Sequence, residues 1–164
     1  MFHTAMAEGD LGSRSRSFVR VRAGRIVEVH VRRLADVGDV AALHAQVREA
    51  IRHVGPEPIV CADHRLASPL ASDVADACSR AMRQLGRAVV RGALLLDPGN
   101  TMYNLQIDRV VRCSGSARRL LTDIDDLRAW VGAALAGSER DACGDLFAVP
   151  RCSSEGSLGV AGRG

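Results

Sequence analysis

Three aspartates stand where a parallel sheet would place chemistry. Asp63 closes the apolar run at 58–62, Asp97 closes the run at 89–96, and Asp123 follows Arg119-Leu120-Leu121. Each falls at the carboxyl end of an expected strand, the side on which open α/β sheets hold ligands. Three carboxylates meeting there could hold a divalent cation. Aspartate is favoured at such positions for a second reason, since its carboxylate accepts the first N–H groups of a following helix. The capping role is the expected one, and no metal ligand is assigned.

A thiol nucleophile needs a nearby base and some exposure. Cys61 and His64 are close in sequence, but an odd separation along a strand sends side chains to opposite faces. Cys61 and Cys78 are therefore expected as buried structural thiols. His30, His44, His53 and His64 show neither HxxxH nor HExxH spacing, so zinc has no local signature. Gly24, Gly86, Gly92 and Gly99 form no dinucleotide or phosphate-loop string. All 22 basic residues are arginine, which excludes a Schiff-base lysine, a phosphate-loop lysine and a receiver-domain lysine. Arg14, Arg16, Arg20, Arg22, Arg32 and Arg33 gather on an N-terminal arm and the following hairpin, a stripe that could meet phosphates. A net charge of only +3 and 3% aromatic residues argue against it, because no rings interleave to stack bases. The expectation is a protein without catalytic residues, cofactor or metal, and nucleic acid is not its expected partner.

The elements that would carry these residues follow from hydropathy. Phe18 to Arg22 and Ile26 to Val31 alternate around a Gly24 turn and read as a hairpin. Its valines, Val19, Val21, Val27, Val29 and Val31, share one face. Arg20, Arg22, Glu28, His30 and Arg32 share the other, which is expected to be wet, as at an antiparallel edge. Asp39 is a candidate cap for a helix with Val40, Leu43, Val47, Ala50, Ile51 and Val54 at a 3.6-residue period. A strand to Asp63, a helix opening at Ser72 or Ser68, a strand at 89–96 and a helix capped by Asn100 or Thr101 come next. A short strand and a helix capped by Asp123 complete the pattern, and Trp130 on that helix is expected to anchor the core or a helix seam. The order β-β-α-β-α-β-α-β-α predicts an α/β fold with a mixed sheet, antiparallel at the N-terminal hairpin and parallel thereafter, with crossover helices.

A length of 164 residues suits one domain. Its expected limits are 17–136, with a flexible arm at 1–16 and a partly helical, then disordered tail at 137–164, where Ser and Gly give little apolar surface to offset ordering entropy. Five scattered cysteines, Cys61, Cys78, Cys113, Cys143 and Cys152, form an odd set without CxxC spacing and point to a reducing compartment. No apolar run approaches the ~18 residues of a membrane span, and a cytoplasmic location is expected.

The string "RAGRIVEVHV", then "PIVCADHR", "VVRGALLLD" and finally "RRLLTDIDDLRAWVGAAL" resembles SpoIIAA-like domains of the STAS group, whose family names also link to lipid-binding Sec14-like modules. The resemblance covers about 17–136. It implies a non-enzymatic regulatory module that binds a protein partner, or a small-ligand or lipid-binding domain of the same fold. It also implies the alternative of an anti-sigma factor antagonist switched by phosphorylation. In that alternative Ser72, with Ser68 behind it, would be the phosphoacceptor, although the order here is Ser-Asp and the family's second serine is absent. Asp63, His64, Asp97 and Asn100 would form the loop that meets the ligand or partner. Whether the chain pairs as a homodimer through a sheet edge is left open.

Overall fold

The computed structural model describes residues 16–22 and 24–148. Arg14, Cys152, the expected arm up to residue 15 and the tail beyond 148 lie outside the described residues. The elements are β1 (Phe18–Val21), β2 (Ile26–His30), α1 (Val37–Val54), β3 (Ile59–Asp63), α2 (Ser72–Leu85), β4 (Arg91–Leu95), α3 (Thr101–Ser114), β5 (Arg119–Leu121), α4 (Ile124–Gly132) and α5 (Gly137–Cys143). The fold is α/β with a mixed sheet, as the alternation predicts. The helix expected from Asp39 begins earlier: Asp36 is its N-cap and accepts the Asp39 N–H at 2.9 Å. Asp39 sits inside the first turn and reaches back to the Ala35 N–H at 2.7 Å, tying the entering chain to the start of the helix.

The five strands lie in the order β1-β2-β3-β4-β5. β1 runs antiparallel to β2, and every later pair is parallel. The strand order never reverses, and right-handed crossovers then keep α1, α2 and α3 on one face of the sheet. That face receives the odd-numbered residues of β2 (Val27, Val29) with Val31, the even ones of β3 (Val60, Ala62), and Leu94 with Leu96 of the β4 region. Because no reversal occurs, the sheet lacks the crevice that a switch point creates in doubly wound folds.

The opposite face is covered by the chain that follows β5. Leu127 and Val131 of α4, then Leu135, Cys143, Leu146 and Phe147, pack on Ile26, Ile59, Cys61, Ala93 and Leu95. This corrects the wet face expected on the hairpin. Glu28 is 0% exposed and His30 is 5% exposed. The Glu28 carboxylate accepts from Arg22 Nε at 2.6 Å, Arg20 Nε at 3.2 Å and the Phe147 backbone N–H at 2.6 Å, and its Oε1 lies 3.2 Å from His30 Nε2. His30 stacks on Phe18 with centroids 4.3 Å apart, and Phe147 meets the His30 ring edge-on at 5.3 Å. Burial pushes the Glu28 pKa up, but the bonds from His30, Arg22, Arg20 and the Phe147 amide outweigh it and hold the acid at about 2. Alternation placed these polar residues on one side; it did not say that a later segment would bring them a cover and partners.

The limit expected at 136 therefore divides residues that pack together. Beyond it, Arg22 Nη2 donates to the Asp145 carbonyl at 2.9 Å, and Arg128 Nη2 donates to Leu146 O at 3.2 Å. Phe147 takes a positive φ of 59°, a conformation that costs a non-glycine residue about 1–2 kcal/mol and is held here by these bonds. Trp130 lies at a seam rather than in the centre: it is half-buried against the second core, with the Arg91 guanidinium carbon 5.2 Å from its ring centroid. Leu146 is 0% exposed, so Leu146→Ala is expected to cost ~2–5 kcal/mol in urea unfolding. A chain ending at 136 should lose more. If that shortened chain unfolds at the same temperature as the full one, the second core does not depend on the turn after α5.

Candidate functional site

The four loop residues expected to meet a ligand share one edge of the sheet but point apart. Asp63 turns to the α4–α5 face, where Arg65 grips it with Nε on Oδ1 and Nη2 on Oδ2, both at 3.0 Å, and with its own N–H at 3.0 Å. Burial raises the Asp63 pKa, but the Arg65 bonds, with Arg32 nearby, bring it below the usual carboxylate value. His64 turns to the opposite face, beneath the helices, with Nδ1 2.6 Å from the Tyr103 hydroxyl. Burial lowers its pKa to about 4, only partly offset by Asp63, so the imidazole is neutral at pH 7. The same burial raises the Tyr103 phenol.

Asp97 and Asn100 serve the loops themselves. Asp97 Oδ1 accepts the Gly99 N–H at 2.9 Å, while Asn100 caps α3 and donates to the Ala67 carbonyl at 3.1 Å. Asp123 caps α4 through the Asp125 and Asp126 N–H groups at 2.7 and 3.1 Å. Among the described residues no three His, Cys, Asp or Glu side chains gather as a metal set. Cys61 lies on the face away from His64, and its thiol is pushed up to about 12, chiefly by burial. Ser72 is the first residue of α2 rather than its cap; Ala71 holds that position and makes no side-chain cap bond. Ser72 is exposed and lines a groove between α2 and α3 with Asp76 and Arg109, and Ser68 is exposed in the preceding loop.

A second concavity, lined mainly by apolar side chains, lies between the sheet and α1, α2 and α3. It has a volume of about 120 Å³. Val29, Val60, Ala62 and Leu94 form its floor, Val47, Met82 and Ile107 belong to its helical walls, and His64 and Tyr103 also line it. Small residues make the room: Ala62 on β3 and Ala81 on α2 occupy positions where larger side chains would fill the space. Leu43 and His44 of α1, and Ala81, Met82 and Leu85 of α2, are only half-buried, which marks the side where the pocket reaches the surface.

Two lining side chains carry polar groups that no side chain or backbone group among the described residues engages. His44 Nε2 is buried and makes no hydrogen bond among the described residues. Desolvation, with Arg48 adding to it, lowers the His44 pKa and favours the neutral ring. Arg118, just before β5, lies across Gly92 of β4: a Cβ at residue 92 would stand 2.5 Å from Arg118 Cδ and 2.8 Å from Nη1. Among the described residues Arg118 makes no side-chain hydrogen bond or ion pair, and desolvation lowers its pKa. Sequence reasoning missed both residues. One signal was present, since a glycine inside the apolar run at 89–96 marks close approach of another group.

Compared with known proteins, the chain matches no family model, no curated protein and no solved structure.

His64 and Glu28 dominate the response to acid, with His44 and Asp63 shifted in the same directions beside them. His64 takes its proton at about 4 when folded against 6.5 in the open chain, so its contribution is complete above 6.5 and shrinks as the pH falls toward 4. Glu28 titrates at about 2 when folded against 4.5, so its contribution is complete above 4.5 and is lost as the pH falls through 2. Each shift corresponds to about 3 kcal/mol. Urea unfolding is expected to show stability declining in these two successive windows. His64→Gln should remove most of the upper one, leaving the smaller part due to His44. Glu28→Gln should shrink the lower one, leaving the part due to Asp63, and also weaken the fold near neutral pH, because Arg20 and Arg22 lose their buried partner. A stability that stays level down to about pH 4 would contradict the buried neutral His64.

Proposed function

We propose that this protein is a non-enzymatic binding module whose pocket beneath α1, α2 and α3 takes a small, largely apolar ligand, the small-ligand alternative that the SpoIIAA/STAS resemblance implies. The observation carrying this reading is the pocket itself: about 120 Å³ floored by aliphatic side chains. An engineered cavity of about 150 Å³ with a comparable apolar lining binds benzene. The groups that could have done chemistry are in poor states for it. The Cys61 thiol and Tyr103 phenol are pushed up by burial, and His64 is neutral with Nδ1 engaged by Tyr103.

A protein partner is the second reading, favoured by one separate observation. Leu66, Met102 and Leu105 are 69%, 63% and 64% exposed at the carboxyl end of the strands. Leu66 follows His64 by two residues and Met102 adjoins Tyr103, so an occupant touching the His64–Tyr103 pair would be felt at this exposed group. Ligand and partner would then be coupled by a differential fit to two loop positions.

Methyl NMR during a benzene titration tests the pocket. Shifts are expected at Val47, Leu94 and Ile107, with a Kd of ~1 mM or tighter, corresponding to about −4 kcal/mol. Ala62→Leu should fill the floor, abolish the shifts and leave a folded protein. Shifts that are absent in the wild type, or that persist in Ala62→Leu, would contradict a ligand site here.

A further inference from the structure

The pocket wall carries a guanidinium and no carboxylate: Arg118 lines it, and no Asp or Glu does among the described residues. We propose that the occupant is a small carboxylate with an apolar body of about benzene size, its anionic end held by Arg118 and its body on the floor formed by Val60, Ala62 and Leu94. This rests on the ligand reading above and adds the charge and size of the ligand to it.

Three observations support the assignment. The first is the isolation of Arg118. The nearby arginines on the other face are consumed internally, Arg20 and Arg22 by Glu28 and Arg65 by Asp63. Arg118 is half-buried against the first core with no carboxylate of its own among the described residues, although it loses hydration there. A partly buried guanidinium with no carboxylate among the described residues is open to an incoming one, which it can meet in a two-pronged geometry.

The second is the cradle. Gly92 leaves the space that the Arg118 stem occupies, since any β-carbon at residue 92 would collide with Cδ, Nε and Nη1 of Arg118. The sheet thus holds the guanidinium beside the pocket floor, because Gly92 pairs with Val60, a floor residue. The third is His44 Nε2, a second lining polar atom with no partner among the described residues. A pocket built for pure hydrocarbon would carry neither group. The volume sets the ligand's size: about 120 Å³ admits a body of roughly six carbons, as the benzene-binding cavity shows.

The test uses the full-length protein and four probes: hexanoate, 1-hexanol, acetate and benzene, read by methyl NMR and calorimetry. Hexanoate is expected to bind at least tenfold more tightly than 1-hexanol, a difference of ~1.4 kcal/mol, with shifts at Val60, Ala62 and Leu94. Acetate should leave those methyls unmoved, because the charge without the body does not fill the floor. Arg118→Gln is expected to weaken hexanoate at least about tenfold, to the range of 1-hexanol. Equal binding of hexanoate and 1-hexanol in the wild type would overturn the carboxylate assignment while leaving the pocket reading intact. So would hexanoate binding that Arg118→Gln does not weaken. If benzene, hexanol and hexanoate all fail to shift the pocket methyls, the ligand reading itself falls and the assignment with it. The comparison of hexanoate with 1-hexanol needs no variant, so it decides the matter even if Arg118→Gln does not fold.

Discussion

The fold turns on one carboxylate that has no contact with water. Glu28 sits in the middle of β2 with 0% exposure and gathers Arg20 and Arg22 from the N-terminal hairpin, His30 from its own strand and the Phe147 amide from the chain after α5. A buried charge this far from solvent is tolerable only when its oxygens are bonded and its charge is balanced. Meeting that condition requires the hairpin edge and the C-terminal turn to be in place together. The result is a sheet with two dry faces: α1, α2 and α3 cover one, and α4, α5 and the following turn cover the other. Replacing Glu28 leaves Arg20 and Arg22 without their shared carboxylate, and losing the turn at Phe147 strips a hydrogen bond from it, so this cluster makes the two ends of the domain interdependent.

With the second face sealed by charge pairing and aliphatic packing, the first face is free to hold space. Its strand order rises without a reversal, so the three helices lie side by side over the sheet and no crevice forms at the strand ends. The concavity arises instead beneath the helices, from alanines at 62 and 81, while the space left by Gly92 is taken by the Arg118 stem. Packing of native density would normally fill such a region with side chains. Here the chain places small residues on the floor and wall and sets Arg118 and His44 around them, an arrangement whose logic is that of a site with a few polar groups in an apolar wall.

Much of the architecture was legible in the sequence because it depends on local chemistry. Alternating valines gave the hairpin, 3.6-residue periods gave the helices, and Asn100 and Asp123 cap the helices they were expected to cap. Local chemistry also misled. Asp39 looked like a cap because it is a carboxylate near the first apolar position, yet Asp36 takes that role and Asp39 reaches backward. Ser72 opens α2, one of the two openings expected, while Ala71 holds the cap position. Glu28 and His30 looked wet because alternation reports which side a residue faces and nothing about what later covers that side. The same reason hid the packing of Cys143, Leu146 and Phe147, whose segment reads as polar until its apolar residues are seen against Cys61 and Leu95. Of the candidate loop, only His64 reaches the pocket; Asp63 is drawn to the other face by Arg65, and Asp97 and Asn100 bind backbone. The pocket was not legible at all, since a volume belongs to the space between elements and no single residue encodes it.

The claim on which the functional account rests is that the space under the helices accepts an apolar occupant. Xenon tests that claim most directly, because it carries no charge or hydrogen bond and binds apolar cavities by dispersion alone. A crystal of the protein under xenon pressure should show an ordered atom in contact with Val47, Ala62 and Leu94, and the site should disappear in Ala62→Leu. Xenon found only on the surface or in crystal contacts, with the space between the sheet and α1 closed by side chains, would contradict the account.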